Sequence, residues 1–434
     1  MVQIVALVIV AITVFLLIKQ YETRMVLIGS GIALCLLNLS PMTALDAFGV
    51  GMTSANLIQA ICASMGFAYV MKYTECDMHL VRALSSMMNR LGFFLIPATV
   101  IVTFFINIAI PSAAGCAAAV GATLIPLLIG ARIHPAIAGA AVLSGTIGSF
   151  LSPGFSHNAF VSNLYNEVMK GTDGFQVMSI VDLIKHHAPY SLAIGGIAAV
   201  GLSIVALVRK EYRVELAESA TVATGSEAPV AVKTNYLYAT APFVPLILLL
   251  IAGLTTWFGS VKMGVPAAMI IGAIYALIIT RCNPSTMTKQ FFSGMGHAYG
   301  DVLGIIIAAG VFAAGLQSSG LIETFITFLK VHPEMARWGG TIGPFLMGAI
   351  TGSGDAAALA FNGTVTRHAL ELGYTIPDLG MAAAITGALG RTMSPIAGVV
   401  IVCAGLANVN PVELVKRTAP SMIVAVIFVA LVML

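Results

Sequence analysis

Charge is what this sequence has least of. Of its 434 residues only 9% are Asp, Glu, Lys or Arg, against about 25% in an ordinary soluble domain. With 59% hydrophobic residues, a water-soluble fold would be left with apolar surface it has no means to cover. No Lys/Arg tract is present and the net charge is only +3, so no nucleic-acid partner is expected. The six cysteines (Cys35, Cys62, Cys76, Cys116, Cys282 and Cys403) form no CxxC pair. Neither a disulfide framework nor a zinc site is predicted, and each cysteine is read as a small packing residue. Walker, HExxH and redox-ligand patterns are also missing, so an enzyme is not expected and no cofactor is called for.

What the chain does have is long apolar blocks, several reaching the roughly 20 residues a helix needs to cross about 30 Å of hydrocarbon. Runs such as Phe93 to Ile110 and Ala239 to Leu254 do not alternate apolar with polar positions, which excludes a membrane barrel. The fold class is therefore an all-α polytopic membrane protein, its partner the lipid bilayer. The run from Ile4 to Ile18 has no basic segment before it and is read as a retained first helix. Two pairs of spans, over 92–130 and 339–370, read as re-entrant hairpins, turning at Pro111-Ser112-Ala113-Ala114-Gly115 and at Thr351-Gly352-Ser353-Gly354-Asp355. Irregular backbone at membrane depth is tolerated only inside protein or along a polar cavity, so both turns are candidate walls of a site. The polar stretch 209–235 is predicted to be an exposed cytoplasmic linker between a first half, 1–208, and a second, 236–434.

The halves repeat. A shift of 242 residues lays Pro135 on Pro377, Gly145 on Gly387, Gly148 on Gly390, Ser152-Pro153 on Ser394-Pro395, and Pro111-Ser112 on Ser353-Gly354. With the hairpins re-entrant and the N-terminus outside, 14 Lys/Arg fall on the cytoplasmic side and five outside, while Arg367 and Arg391 lie within or beside apolar spans. That bias orients the chain. It makes the halves two inverted repeats, each with a re-entrant hairpin and a broken transmembrane helix, at 135–155 and at 378–407. Such repeats place a binding site near mid-depth between them and support alternating access.

The breaks, Ser144 to Pro153 and Thr386 to Pro395, interrupt helices with Gly, small hydroxyls and Pro. Freed N–H groups at helix starts attract carboxylate, and freed carbonyls can hold a cation. Ordinary proline kinks are the bland alternative. Ser112, Gly115, Ser353 and Gly354 at the turns and Ser152, Thr392 and Ser394 at the breaks are the candidate substrate contacts, with His157 and Asn158 just beyond the first break. Arg391 is the most informative charge, because a guanidinium in a bilayer marks a substrate path or an internal salt bridge; Asp355 is the obvious partner. Asp355 itself either couples transport to a proton or sodium ion or caps a helix. Whether any metal ion binds is left open. His134, His186, His187, His297, His332 and His368 fall at predicted ends or loops and are read as solvated. One Asp and one Arg at depth favour an anion over the cation/proton antiport that broken helices also serve, and other small organic anions stay open as substrates.

At these residues the chain resembles the DcuC family of anaerobic C4-dicarboxylate carriers. The likeness is carried by Gly310-Val-Phe-Ala-Ala-Gly-Leu-Gln-Ser-Ser-Gly-Leu321, Thr351-Gly-Ser-Gly354, Leu389-Gly-Arg-Thr-Met-Ser-Pro-Ile-Ala-Gly-Val-Val400 and Pro411-Val-Glu-Leu-Val-Lys-Arg-Thr418. Phe155-Ser-His-Asn158 stands in place of the family's Ser-Gly-Asp pattern, and Asp355 in place of an asparagine. The resemblance implies a secondary carrier of succinate, fumarate, malate or a similar acid in a bacterial inner membrane. It also implies a dimeric scaffold against which the hairpins and broken helices move.

Overall fold

The computed structural model describes residues 2–19, 21–86, 94–172, 174–212, 234–254 and 263–434. Among them the chain is helical with no strand. In order the helices are α1 (Val2–Ile18), α2 (Thr23–Leu37), α3 (Pro41–Met52), α4 (Ala55–Tyr73), α5 (Cys76–Ser86), α6 (Leu95–Ala109), α7 (Ala113–Gly130), α8 (Pro135–Gly145), α9 (Ser156–Met169), α10 (Ile180–Val208) and α11 (Tyr236–Thr240). There follow α12 (Val244–Leu254), α13 (Val265–Thr280), α14 (Pro284–His297), α15 (Gly304–Ser318), α16 (Leu321–Val331), α17 (Pro333–Thr351), α18 (Gly354–Thr364), α19 (Ile376–Arg391), α20 (Gly398–Ala407) and α21 (Pro411–Phe428). A π turn over Ala298–Leu303 runs α14 into α15. Five of the described helical segments are long and apolar enough to cross a membrane, with shorter apolar helices beside them. Their outward faces carry bare aliphatic side chains such as Ile4, Val200 and Val208, which hydrocarbon solvates and water does not. The protein is a multi-pass membrane protein.

Two apolar cores hold the helices. One gathers α6, α7, α8, α10, α19, α20 and α21 around Phe150, Leu143 and Met381; the other gathers α1, α2, α4 and α12 to α15 around Phe67, Leu34 and Ala309. The centre of the first core is α8 and α19, buried over nearly their whole circumference, as a helix apolar on every side must be. Each leans on the first arm of a hairpin with no room for a side chain. A Cβ on Gly148 would strike the carbonyl of Phe104 on α6, and one on Gly390 the carbonyl of Phe345 on α17. Gly145 likewise meets Thr103 of α6, and Gly387 meets the carbonyl of Gly354 at the start of the second arm, α18. These four glycines do not take the left-handed conformation, so their repetition records close backbone approach, not freedom to unwind.

Helices α6 and α7 turn at 110–112 and α17 and α18 at 352–353, and the helices over 135–155 and 378–407 are each interrupted. They differ in form. The first helix ends at Gly145, passes through a 3₁₀ turn at Gly148–Leu151 and resumes as α9. The second runs on to Arg391 and resumes at Gly398. Amphipathic or short helices α3, α5, α9, α14 and α16 were not predicted. The linker expectation needs correcting at its start: Glu211 is buried against Arg417, Arg209 and the amide of His134. Its stretch 213–233, with Arg213 and Lys233, lies outside the described residues, as do Arg90 and Lys262.

Candidate functional site

Four helices start at one cavity. Ser112 caps α7, its Oγ accepting the Gly115 amide at 3.2 Å, and Ser112 to Ala114 line the wall beside Phe155 and Ser156 at the start of α9. Asp355 in the first turn of α18 and Gly398 and Val399 in that of α20 complete the ring, around about 330 Å³. Each of these termini presents N–H groups without intrahelical partners and a partial positive charge. Arg391 also lines the cavity, together with Ser149, Ser64 and Met65. Such a lining attracts an anion and offers it donors on several sides.

Arg391 is held but not satisfied. Its Nη2 donates to the carbonyl of Thr146 over a long 3.5 Å, and its Nε is buried with no partner. Asp355 does not pair with it. The carboxylate instead lies 3.1 Å from Nε2 of His157, which is 1% exposed, while the Asp355 side chain remains 45% exposed toward the cavity. The pairing weighed from the sequence is thus made, as a hydrogen bond, to a histidine of the other half. Nδ1 of His157 is buried and unpartnered, so the imidazole donates from Nε2 and Asp355 accepts.

The other predicted residues stand behind the wall or away from it. Asn158 is fully buried. Its Nδ2 donates to the carbonyls of Phe150 and Ser152 at 2.8 and 2.9 Å, and its Oδ1 accepts from Nε2 of His187 at 3.1 Å. Ser152 is buried, with Oγ accepting the Gly154 amide. Gly115 is exposed in the first turn of α7. Ser353 faces a separate cavity of about 240 Å³ with Tyr21 and Glu22, and Gly354 is pressed on Gly387. Thr392 bonds the carbonyl of Leu389 and Ser394 is buried with its Oγ unpartnered.

Ser149, Ser156 and Ser64 were not anticipated. The repeat register held the clue to two of them: the 242-residue shift pairs Ser149 with Arg391, Ser156 with Gly398 and Ala113 with Asp355, and all six line the cavity. Ser64, on α4, lies outside both hairpins and both breaks, where the sequence reading looked for the site. His187, read as solvated, is fully buried because α10 starts at Ile180, nearly three turns before the apolar run that marks it.

A ring of helix starts around a guanidinium, inside a multi-pass helical bundle, suits a membrane transporter. Residues 190–434 match the family described as C4-dicarboxylate anaerobic carrier, DcuC, and the chain belongs to that family. An uncharacterized transporter of Haemophilus influenzae is 55% identical over 293 residues, 65% of this chain and 100% of its own. The anaerobic C4-dicarboxylate transporter DcuC of Escherichia coli K12 is 26% identical over 385 residues, 86% of this chain and 78% of its own. Among solved structures, MtrF of Neisseria gonorrhoeae, described with a class of antimetabolite efflux pumps, superposes with a TM-score of 0.62 at 11% identity, covering 90% of this chain and 83% of that one. The YdaH transporter of Alcanivorax borkumensis superposes at 0.58 and 13% identity, over 90% and 86%. These two likenesses concern the fold alone.

Proposed function

We propose that this protein is a secondary carrier of C4-dicarboxylates such as succinate, fumarate and malate in a bacterial inner membrane. The observation that carries the reading is the cavity where four helices start around Arg391. A dicarboxylate meets the guanidinium with one end and the N–H groups of α7 and α9 with the other. Ser112, Ser149 and Ser156 add hydroxyl donors. The pairs Ser149/Arg391, Ser156/Gly398 and Ala113/Asp355 are what two inverted repeats meeting at a common site would give, and that symmetry supports alternating access. The halves 1–208 and 236–434 are then the repeats, and family resemblance favours a homodimer.

Asp355 is the coupling residue in this reading. A dianion beside Arg391 and an ionised Asp355 leaves the cavity with excess negative charge, which a proton or a sodium ion on Asp355 removes. Counterflow of labelled succinate into proteoliposomes, competed with mono-, di- and tricarboxylates, tests the substrate class. Competition by fumarate and malate is expected; saturable uptake indifferent to both overturns it. Asp355→Asn is expected to keep exchange, in which loaded carriers shuttle both ways, and to lose ion-driven accumulation. An unaltered accumulation ratio assigns Asp355 to capping α18.

A further inference from the structure

A second cavity, of about 270 Å³, lies further along the same helices. Its walls include Phe160, Asn163 and Glu167 of α9, Ile306, Gly310 and Gln317 of α15, Gly363 at the far end of α18, and Arg367 in the 3₁₀ turn just beyond it. The first cavity is lined by the other ends of α9 and α18, at Ser156 and Asp355, and by Val302 in the π turn that runs into α15. On two of the three, the cavities are four residues apart, Ser156 to Phe160 and Val302 to Ile306, or about 6 Å of helix. Between them on α18 stands Leu359, 1% exposed, in one apolar cluster with Ile306 and Ala159. Phe160 packs on that cluster and on the two others it adjoins.

We infer that the two cavities are one pathway interrupted by a wall of Phe160, Ile306 and Leu359, and that the second cavity is the far vestibule through which the same carboxylates enter or leave. This rests on the transport reading above. The vestibule is built for anions in transit. Arg367 pairs with Glu167 at 3.1 Å, both about half exposed, so an arriving carboxylate can take the place of Glu167 without stripping a buried charge. His368 stands beside it. On the orientation favoured by the Lys/Arg bias, this end faces outside and the Arg391 cavity faces the cytoplasm. The wall is apolar and thin, so a rotation of side chains, or a slide of α9 and α18 along α15, joins the cavities without unfolding any helix.

The test reads access rather than substrate. In full-length protein with the native cysteines replaced, Ala114→Cys places a thiol in the first cavity, and a charged, membrane-impermeant thiol reagent is applied to either side of oriented proteoliposomes. Labelling is expected from one side only. Adding Phe160→Ala, or Leu359→Ala should the first variant not fold, is expected to raise labelling from the opposite side by about tenfold or more, as removal of a packed ring from a thin wall implies. A thiol at Ala313→Cys, in the vestibule, is expected to label from that opposite side in both backgrounds. Unchanged one-sided labelling of Ala114→Cys in both wall variants overturns the inference, whatever the substrate proves to be. Failure of succinate counterflow with the labelling pattern as expected would instead overturn the dicarboxylate reading and leave the pathway standing.

Discussion

The two hairpin-and-break units that meet at the cavity, α6 to α9 and α17 to α20, solve the same problem by different means. In the first, side chains brace the broken helix: Asn107 of α6 accepts the Ser149 amide at 2.7 Å and donates to the carbonyl of Ile110 at 2.9 Å, tying hairpin tip to break. Asn158 holds two more carbonyls of the same break, and its own orientation is fixed by His187. Since both Nδ2 hydrogens of Asn158 are used, His187 must donate from Nε2 and accept the Ser191 hydroxyl at Nδ1, 2.9 Å away. In the second unit the break is closed by backbone turns, Ser394 to Arg391 and Ala397 to Ser394, and one hydroxyl, Thr418, reaches the carbonyl of Thr392 at 3.2 Å. The braced unit supplies a wall of neutral donors. The less braced unit supplies the charges, Asp355 and Arg391.

If that division is right, Arg391→Ala produces the largest functional effect in the molecule. Loss of a charge-assisted pair of roughly 3 kcal/mol lowers transport by about two orders of magnitude. Stability is expected to hold or rise, since Nε of Arg391 already lies buried without a partner. Initial uptake rates and thermal unfolding of the purified protein decide it together. Intact uptake would place the arginine in the structure and not the site.

What the units share is close backbone contact, and that predicts a large loss of stability in both. Gly148→Ala and Gly390→Ala drive a methyl into the carbonyls of Phe104 and Phe345, overpacking that costs roughly 1–3 kcal/mol or more. Gly196→Ala on α10 has open space around it and is expected to be neutral or slightly stabilising. A tolerated Gly390→Ala beside a damaging Gly148→Ala would show that the second unit yields where the first does not.

The braces are the difference, and their removal is expected to cost the two breaks unequally. Asn158→Ala leaves the carbonyls of Phe150 and Ser152 and the Nε2 hydrogen of His187 buried without partners, at a cost of about 2–3 kcal/mol. Thr418→Val removes one long hydrogen bond, at about 1 kcal/mol or less. Equal losses in thermal unfolding would erase the distinction between the breaks.

Hairpins, breaks and bilayer were legible in the sequence because each rests on a local signal: apolar length, Pro and Gly in register, small residues at a turn. Arg391 and Asp355 stood out because charge is rare here. Amphipathic α9 and α14 were not legible, as their polar faces broke the apolar runs that marked the other helices. Nor was the use of Asn158. A buried asparagine that pins backbone and one that binds a ligand look the same until the carbonyls of Phe150 and Ser152 are placed beside it. Asp355 was paired in expectation with the nearest arginine by motif, whereas the fold hands it to His157, 198 residues away.

Arg417 tests the contrast from the other side, as an arginine of the second half that is fully engaged. It donates from Nε and Nη2 to the two oxygens of Glu211 at 2.8 and 2.5 Å, and from Nη1 to Glu413 at 2.8 Å. Burial pushes the Glu211 carboxyl up, but the hydrogen bonds from Arg417 and Arg209 outweigh it and hold the group below its ordinary value of 4.5. A carboxylate depressed in the folded state adds stability that is complete above the unfolded value and is lost as pH falls through the folded one. Wild type is therefore expected to exceed Glu211→Gln in unfolding temperature at neutral pH, with the gap closing as the pH drops below about 4.5. Transport by the variant is expected to be near normal, the smallest effect of the series, because Glu211 and Arg417 rivet the end of α10 to α21 and do not line the cavity. A gap that widens in acid would reverse the assigned sign. Loss of transport at full stability would mean that Arg417, and not only Arg391, handles the anion.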